Sequence, residues 1–155
     1  MNKQQLDPII EKVKQVCKSS GARLTDQRCD ILTILLYSKI PLSAYEISDN
    51  YNKTAKKSMP TMSVYRILDF LESENLAHKL NSTSKYVACS EMDCGHVHQI
   101  PQFLICSECQ SAKEIAVSAV ILEALGKLVD KAGYTLANSK LELQCLCSEC
   151  SAGTA

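Results

Sequence analysis

A chain of 155 residues with no net charge, 46% hydrophobic content and only five glycines has the composition of a globular protein with one medium domain or two small ones. No apolar run is long enough to span a bilayer and no charged-then-apolar leader opens the chain, so neither a membrane nor an exported protein is expected. Nine cysteines in that setting suggest a cytoplasmic protein whose thiols bind metal or stay free, with a disulfide-stapled secreted domain as the minor alternative.

The zero net charge hides an asymmetry. Through residue 85, thirteen basic side chains face nine acidic ones, a balance of +4, and the remainder carries −4. Seven of the nine cysteines also fall after residue 85. These shifts divide the chain into a basic domain over 1–84 and an acidic, metal-loaded domain over 85–155.

In chain order, Asp7-Pro8 reads as a helix start, Asp as N-cap and Pro at the first helical position. Leu6, Ile10, Val13 and Cys17, with Ile9 and Val16 beside them, follow the spacing of one buried face, and Gly21 ends it. Thr25 caps a second helix with core residues Ile31, Leu32, Leu35 and Leu36. Ser43-Ala-Tyr-Glu46 is a capping box opening a third helix that buries Ala44, Ile47 and Tyr51. A fourth helix follows Pro60, with Val64, Ile67, Leu68 and Leu71 on its apolar stripe. Leu76–Leu80 and Lys85–Cys89 read as strands of a hairpin joined by Asn-Ser-Thr-Ser.

Four helices and a hairpin in this order make a winged helix-turn-helix. The fourth helix would then lie in a DNA major groove, where Arg66 suits a guanine edge, Tyr65 a sugar or thymine methyl, and Ser63 a phosphate. A four-helix core whose polar face simply meets water is the competing reading, since a front charge of +4 permits phosphate binding without demanding it.

Residues 78–114 gather all three histidines and further donors: His78, Cys89, Cys94, His96, His98 and Glu114. Each has a plain alternative as a wing, filler or surface side chain; together they make a candidate second metal site. Thiolate beside imidazole and carboxylate suits Zn²⁺ better than Fe²⁺. Spacing does not choose between His96 and His98.

Cys106-x-x-Cys109 and Cys147-x-x-Cys150 carry the strongest signal. Two residues between cysteines let both sulfurs reach one ion, and four thiolates hold Zn²⁺ well. The 37 residues between the pairs make the cage a staple across a folded segment. That segment reads as a strand over Lys113–Val117 and a Ser118-capped helix with inner face Ile121, Leu125, Leu128, Val129 and Ala132, ended by Gly133. A strand over Tyr134–Ala137 and a last strand over Lys140–Cys147, with Leu141, Leu143 and Cys145 on one side, complete it. So small a unit gains by pairing across a two-fold axis, so a homodimer is expected. Cys17, Cys29 and Cys145 fall on apolar faces and are expected in cores. The fold class is therefore α+β: an N-terminal winged helix-turn-helix domain, then a small α/β dimerisation domain with a four-cysteine zinc site.

Arg23-Leu-Thr25-Asp-Gln27-Arg28, Ser43-Ala44-Tyr45, Ser63-Val-Tyr65-Arg66, Leu68-Asp-Phe-Leu71, His78-Lys, Cys89 and Phe103-Leu-Ile-Cys106-x-x-Cys109 together closely resemble the ferric uptake regulator family, and within it the zinc-responsive branch. The resemblance covers roughly residues 5–150. It implies a dimeric, zinc-dependent transcriptional repressor, not an enzyme, that binds double-stranded operator DNA and controls zinc uptake genes. It implies a structural zinc on Cys106, Cys109, Cys147 and Cys150, and a sensing zinc on His78, Cys89, His98 (or His96) and Glu114, hence about two ions per subunit. DNA contacts carry onto Tyr45, Tyr65 and Arg66. Two departures stand out: Asp26 where the family commonly has proline, and a thin histidine run before Cys106, which makes Cys94 a further candidate ligand. No membrane and no small organic ligand is expected. The rivals are an iron- or peroxide-responsive sibling and a thiol oxidoreductase, the latter disfavoured because both cysteine pairs read as strand ends with no helix starting after Cys109.

Overall fold

The computed structural model describes residues 3–55, 58–90, 92 and 100–153, which fall into two compact units, Met1–His96 and Val97–Ala155.

The first unit holds α1 (Lys3–Ser19), α2 (Asp26–Tyr37), α3 (Ala44–Thr54), α4 (Thr61–Ser73), β1 (Ala77–Leu80) and β2 (Lys85–Ala88). Helix α1 starts earlier than Asp7-Pro8 and carries Pro8 inside it. Leu6 is buried and extends the line of Val13 and Cys17 upstream, while a proline in the second turn forfeits a single early hydrogen bond. Val16, expected beside this face, is exposed. Gly21 ends the helix in the left-handed region at φ +79°, with the Ala22 N–H donating to the Cys17 carbonyl at 2.9 Å.

Thr25 occupies the N-cap of α2 in extended geometry, and Ile31, Leu32 and Leu35 are buried. The capping box of α3 is complete: the Glu46 N–H donates to Ser43 Oγ at 3.2 Å, and the Ser43 N–H donates to Glu46 Oε2 at 2.7 Å. Helix α3 also brackets the approach to α4. The Met59 N–H donates to Asn52 Oδ1 at 2.7 Å, and the buried Ser48 hydroxyl donates to the Met59 carbonyl at 3.0 Å. Helix α4 buries Val64, Ile67, Leu68 and Leu71, the stripe read from the sequence. The Arg28 guanidinium stacks 3.4 Å over the Phe70 ring, fastening α2 to α4.

Strands β1 and β2 form the expected hairpin, with His78 opposite Val87 and Leu80 opposite Lys85. An additional antiparallel bridge joins Leu42 to Tyr86 through hydrogen bonds of 3.0 and 2.7 Å. One residue between Pro41 and Ser43 has no periodicity, so this third edge left no trace in the pattern. Strand β2 pairs with β1 within the first unit, whereas the sequence reading assigned residue 85 onward to the second domain.

The second unit holds β3 (Gln102–Cys106), β4 (Ala112–Ile115), α5 (Ala119–Lys131), β5 (Glu142–Cys145) and α6 (Ser148–Ala152). Its sheet runs β4-β3-β5, antiparallel on one side of β3 and parallel on the other. Parallel pairing requires a crossover, which α5 supplies. Three expectations fail here. Residues 134–137 form no strand: after Gly133 (φ +82°) they are the return path to β5, and Tyr134 stands exposed. The last strand is shorter than Lys140–Cys147, because the chain turns into α6 at Cys147. The apolar face of α5 is not internal either. None of its residues is buried, Ile121 is 58% and Leu128 64% exposed, and Leu143 on β5 is exposed as well. Three short strands and the five-residue α6 are too little to cover that face within one protomer.

The buried Gln102 replaces part of the missing pairing. Its amide donates to the Ser139 and Ile100 carbonyls, and its carbonyl accepts the Leu141 N–H, so the entry to β5 is pinned to the start of β3. No helix among the described residues is long and apolar enough to cross a membrane.

Candidate metal centre

Cys106 closes β3 and Cys109 lies on the turn after it, while Cys147 caps α6 and Cys150 sits inside that helix. The register that sets Cys106 beside Cys145 brings both strand ends together, so the two cysteine pairs converge from separate parts of the chain. All four sulfurs lie within 4.8 Å of one another, and Cys109 Sγ is 3.7 Å from Cys147 Sγ. A tetrahedron with Zn–S bonds of about 2.3 Å has edges of about 3.8 Å, so this spacing fits a metal cage. It does not fit a disulfide, whose sulfurs stand about 2.05 Å apart, and none of the four cysteines is disulfide-bonded.

Backbone amides prepare the sulfurs for charge. The Cys106 thiol is held down to about 6 by N–H donors from Cys109 and then Cys147, the latter at 3.4 Å. Cys109 is lowered by the Ser111 hydroxyl, 3.1 Å away, and by its backbone N–H. Cys150 is pushed up to about 12, because its proton is shared with the sulfurs of Cys147 and Cys109. Thiolates crowded together oppose the last deprotonation, and a divalent cation removes that opposition. Ser111 was missed in the sequence, where a serine two places after a cysteine carries no signal. Cys147 departs from the strand-end placement expected of it: it begins a helix, as a redox thiol also would. What separates the two chemistries is the number of converging sulfurs, since a dithiol reductant needs two and a cage needs four.

A second pair of donors stands in the first unit. Leu76 aligns with Cys89, whose N–H donates to the Leu76 carbonyl at 3.0 Å. His78 is two residues beyond Leu76 and so shares its face, diagonal to Cys89. Both side chains are buried, with a ring nitrogen and the sulfur within 4.8 Å. Glu114 belongs to the second unit, half-buried on β4 opposite Phe103. Cys94, His96 and His98 lie outside the described residues. Cys17 is buried as expected, whereas Cys29 and Cys145 are only half-buried.

On α4 the apolar stripe is turned inward, which leaves Arg66 and Asp69 exposed and Ser63 and Tyr65 half-buried on the other side. Tyr45 on α3 is 65% exposed. The four residues expected to meet DNA are thus all solvent-accessible on the first unit.

The model of the ferric uptake regulator family matches residues 19–144. The chain is 30% identical over 150 residues to the zinc uptake regulation protein of Escherichia coli (strain K12), covering 97% of this chain and 85% of that one. It is equally 30% identical, over 145 residues, to the ferric uptake regulation protein of Helicobacter pylori (strain ATCC 700392 / 26695), covering 94% and 93%. Among solved structures it resembles a zinc uptake regulator complexed with zinc and DNA, with a TM-score of 0.82 at 26% identity over 99% of both chains. On the family match, the two relatives and this structural likeness, the chain belongs to the ferric uptake regulator family.

Proposed function

We propose that this protein is a zinc-responsive transcriptional repressor that binds operator DNA as a homodimer when its sensing site holds zinc, and thereby controls zinc uptake genes. The observation that carries this reading is the buried His78–Cys89 pair on the hairpin, a metal-donor set inside the unit that also bears the exposed face of α4. A thiolate in a regulatory site favours zinc over iron, which is the ground for preferring zinc where relatives of both names match equally in identity.

In this reading the first unit is a winged helix-turn-helix domain, with α4 as recognition helix and the β1–β2 hairpin as wing, so the domain boundary falls after β2. The second unit is the dimerisation domain and carries the four-cysteine site. Cys106, Cys109, Cys147 and Cys150 hold a structural ion. His78, Cys89, Glu114 and His98, with His96 or Cys94 as the alternatives to His98, hold the regulatory one. Zinc at these donors supplies a cross-link between the two domains. Arg66 reads a guanine edge through two hydrogen bonds, Tyr65 and Tyr45 pack against the duplex, and Ser63 binds a phosphate. The exposed apolar face of α5 is one half of the dimer interface. With donors from both domains held, the two Arg66-bearing helices keep the roughly 34–36 Å separation of successive major-groove faces. With those donors free, fixing that spacing is charged against DNA affinity, which is how a metal that prefers one arrangement becomes a switch.

Gel-shift titration against a palindromic operator in buffered free zinc tests the whole chain of inference: affinity should rise with zinc, and equal affinity with and without it rejects the reading. Zinc counts sharpen the site. The wild type should carry about two ions per subunit and Cys89→Ser about one, folded but unable to bind operator. Competition between zinc and iron during loading separates this reading from an iron-responsive sibling.

A further inference from the structure

Met62 is the large apolar side chain that the recognition-helix face leaves in water. It is 67% exposed, in the first turn of α4, while Val64, Ile67, Leu68 and Leu71 are buried on the far side. At 100° per residue, Met62 lies on the same outer line as Arg66 and Asp69, with Tyr65 at its flank. The neighbouring methionine, Met59, is buried and bracketed by Ser48 and Asn52, so the chain puts one of the two methionines inward and the other outward.

We propose that Met62 reads sequence: its thioether end contacts the C5-methyl of a thymine close to the guanine read by Arg66. The proposal rests on α4 being the DNA-recognition helix and adds a base contact to it. Residues in the N-terminal turns of such a helix are the ones that reach base edges. The thymine methyl is the apolar feature of the major groove, and an unbranched, polarizable side chain adapts to it. Met62 and Arg66 are one turn apart, about 6 Å along the axis, against about 3.4 Å per base pair. The thymine therefore lies within about two base pairs of the Arg66 guanine.

The test uses zinc-loaded full-length protein and a duplex selected by it from random-sequence DNA. Substitution of 7-deazaguanine locates the guanine read by Arg66, and each thymine is replaced singly by deoxyuridine, which removes only the methyl. One thymine per half-site, within two base pairs of that guanine, should weaken wild-type binding roughly 3–10-fold when demethylated. Met62→Ala should lose a similar factor on the parent duplex and become indifferent to uracil at that position, with zinc content and far-UV circular dichroism unchanged. The proposal is overturned if Met62→Ala keeps the wild-type thymine-to-uracil ratio everywhere, or if the selected half-site has no thymine in that window. If the pool yields no zinc-dependent binding at all, the recognition-helix reading itself fails and this contact falls with it.

Discussion

In the first unit, side chains from all four helices and the hairpin close over one another: Val13 and Cys17 from α1, Ile31 and Leu32 from α2, Ile47 and Tyr51 from α3, Leu68 and Leu71 from α4, Ala77 and Tyr86 from the hairpin. In the second unit the buried side chains are concentrated on β3, at Gln102, Phe103, Ile105 and Cys106, while α5 contributes none. One unit is held by burial that its own chain supplies. The other is held by a strand with partners on both edges, a glutamine clamp and four convergent thiols. A unit of the second kind depends on what binds to it, because apolar burial on so few side chains does not outweigh the ordering of the chain.

The sharpest way to break this comparison is to remove the cage. Cys106→Ser, or chelation strong enough to strip four thiolates, should unfold the second unit and leave the first intact. Structural zinc in small domains is worth about 10–16 kcal/mol of apparent binding energy, more than such a unit has to spare. The amides of Phe103, Cys106 and Ser107, which bond to Leu141, Ser111 and Cys145, should lose hydrogen-exchange protection by orders of magnitude. Those of α2 and α4 should keep theirs. Unchanged protection in β3 after the metal is removed would mean that the sheet stands without its staple.

The mirror experiment is a cavity in the first unit. Leu68→Ala empties a fully buried position on α4 and should cost about 2–5 kcal/mol in urea unfolding, with the zinc on the four cysteines retained. Leu128→Glu probes the open face of α5 instead. At 64% exposure the change should alter the protomer's own stability by no more than about 0.5 kcal/mol. Yet if that face is the dimer interface, sedimentation should show association weakened by at least about tenfold. A variant that dimerises like the wild type would place the partner's contact elsewhere.

The same contrast explains what was legible in the sequence. The first unit repeats its apolar residues at helical spacing and buries what that spacing selects, so Ile31, Leu32, Leu35, Val64, Leu68 and Leu71 were readable as core without coordinates. The capping box was readable because Ser43 and Glu46 are local partners. The cage was readable because two-residue spacing is itself chemical information. In the second unit, periodicity on α5 reported an apolar face correctly but read it as an inner face, whereas none of the helix's described residues is buried. Apolar pattern tells which side avoids water; it does not tell whose surface covers it. Gln102, Ser111 and the Leu42 bridge were silent because each acts through a contact that no spacing rule encodes.

The smallest effect tests whether the first unit's stability really comes from its own local chemistry. Ser43→Ala should cost about 1 kcal/mol by removing the hydroxyl that accepts the Glu46 N–H. Glu46 adds a pH signature. Its carboxyl lies below the ordinary 4.5 because the Ser43 N–H and hydroxyl stabilise the charged form, with Lys85 on β2, 3.3 Å away, adding to them. A depressed folded pKa contributes stability that is present above 4.5 and lost as pH falls through the lower folded value. Glu46→Gln keeps the side-chain acceptor of the box and removes only the charge. The stability gap between wild type and Glu46→Gln should therefore be small but definite at pH 7 and close as the pH approaches 3. Asp30, pushed up by burial and by Asp26, slopes the other way but is common to both proteins and cancels. A gap that persists at pH 3 would show that Glu46 acts through packing and not through its charge.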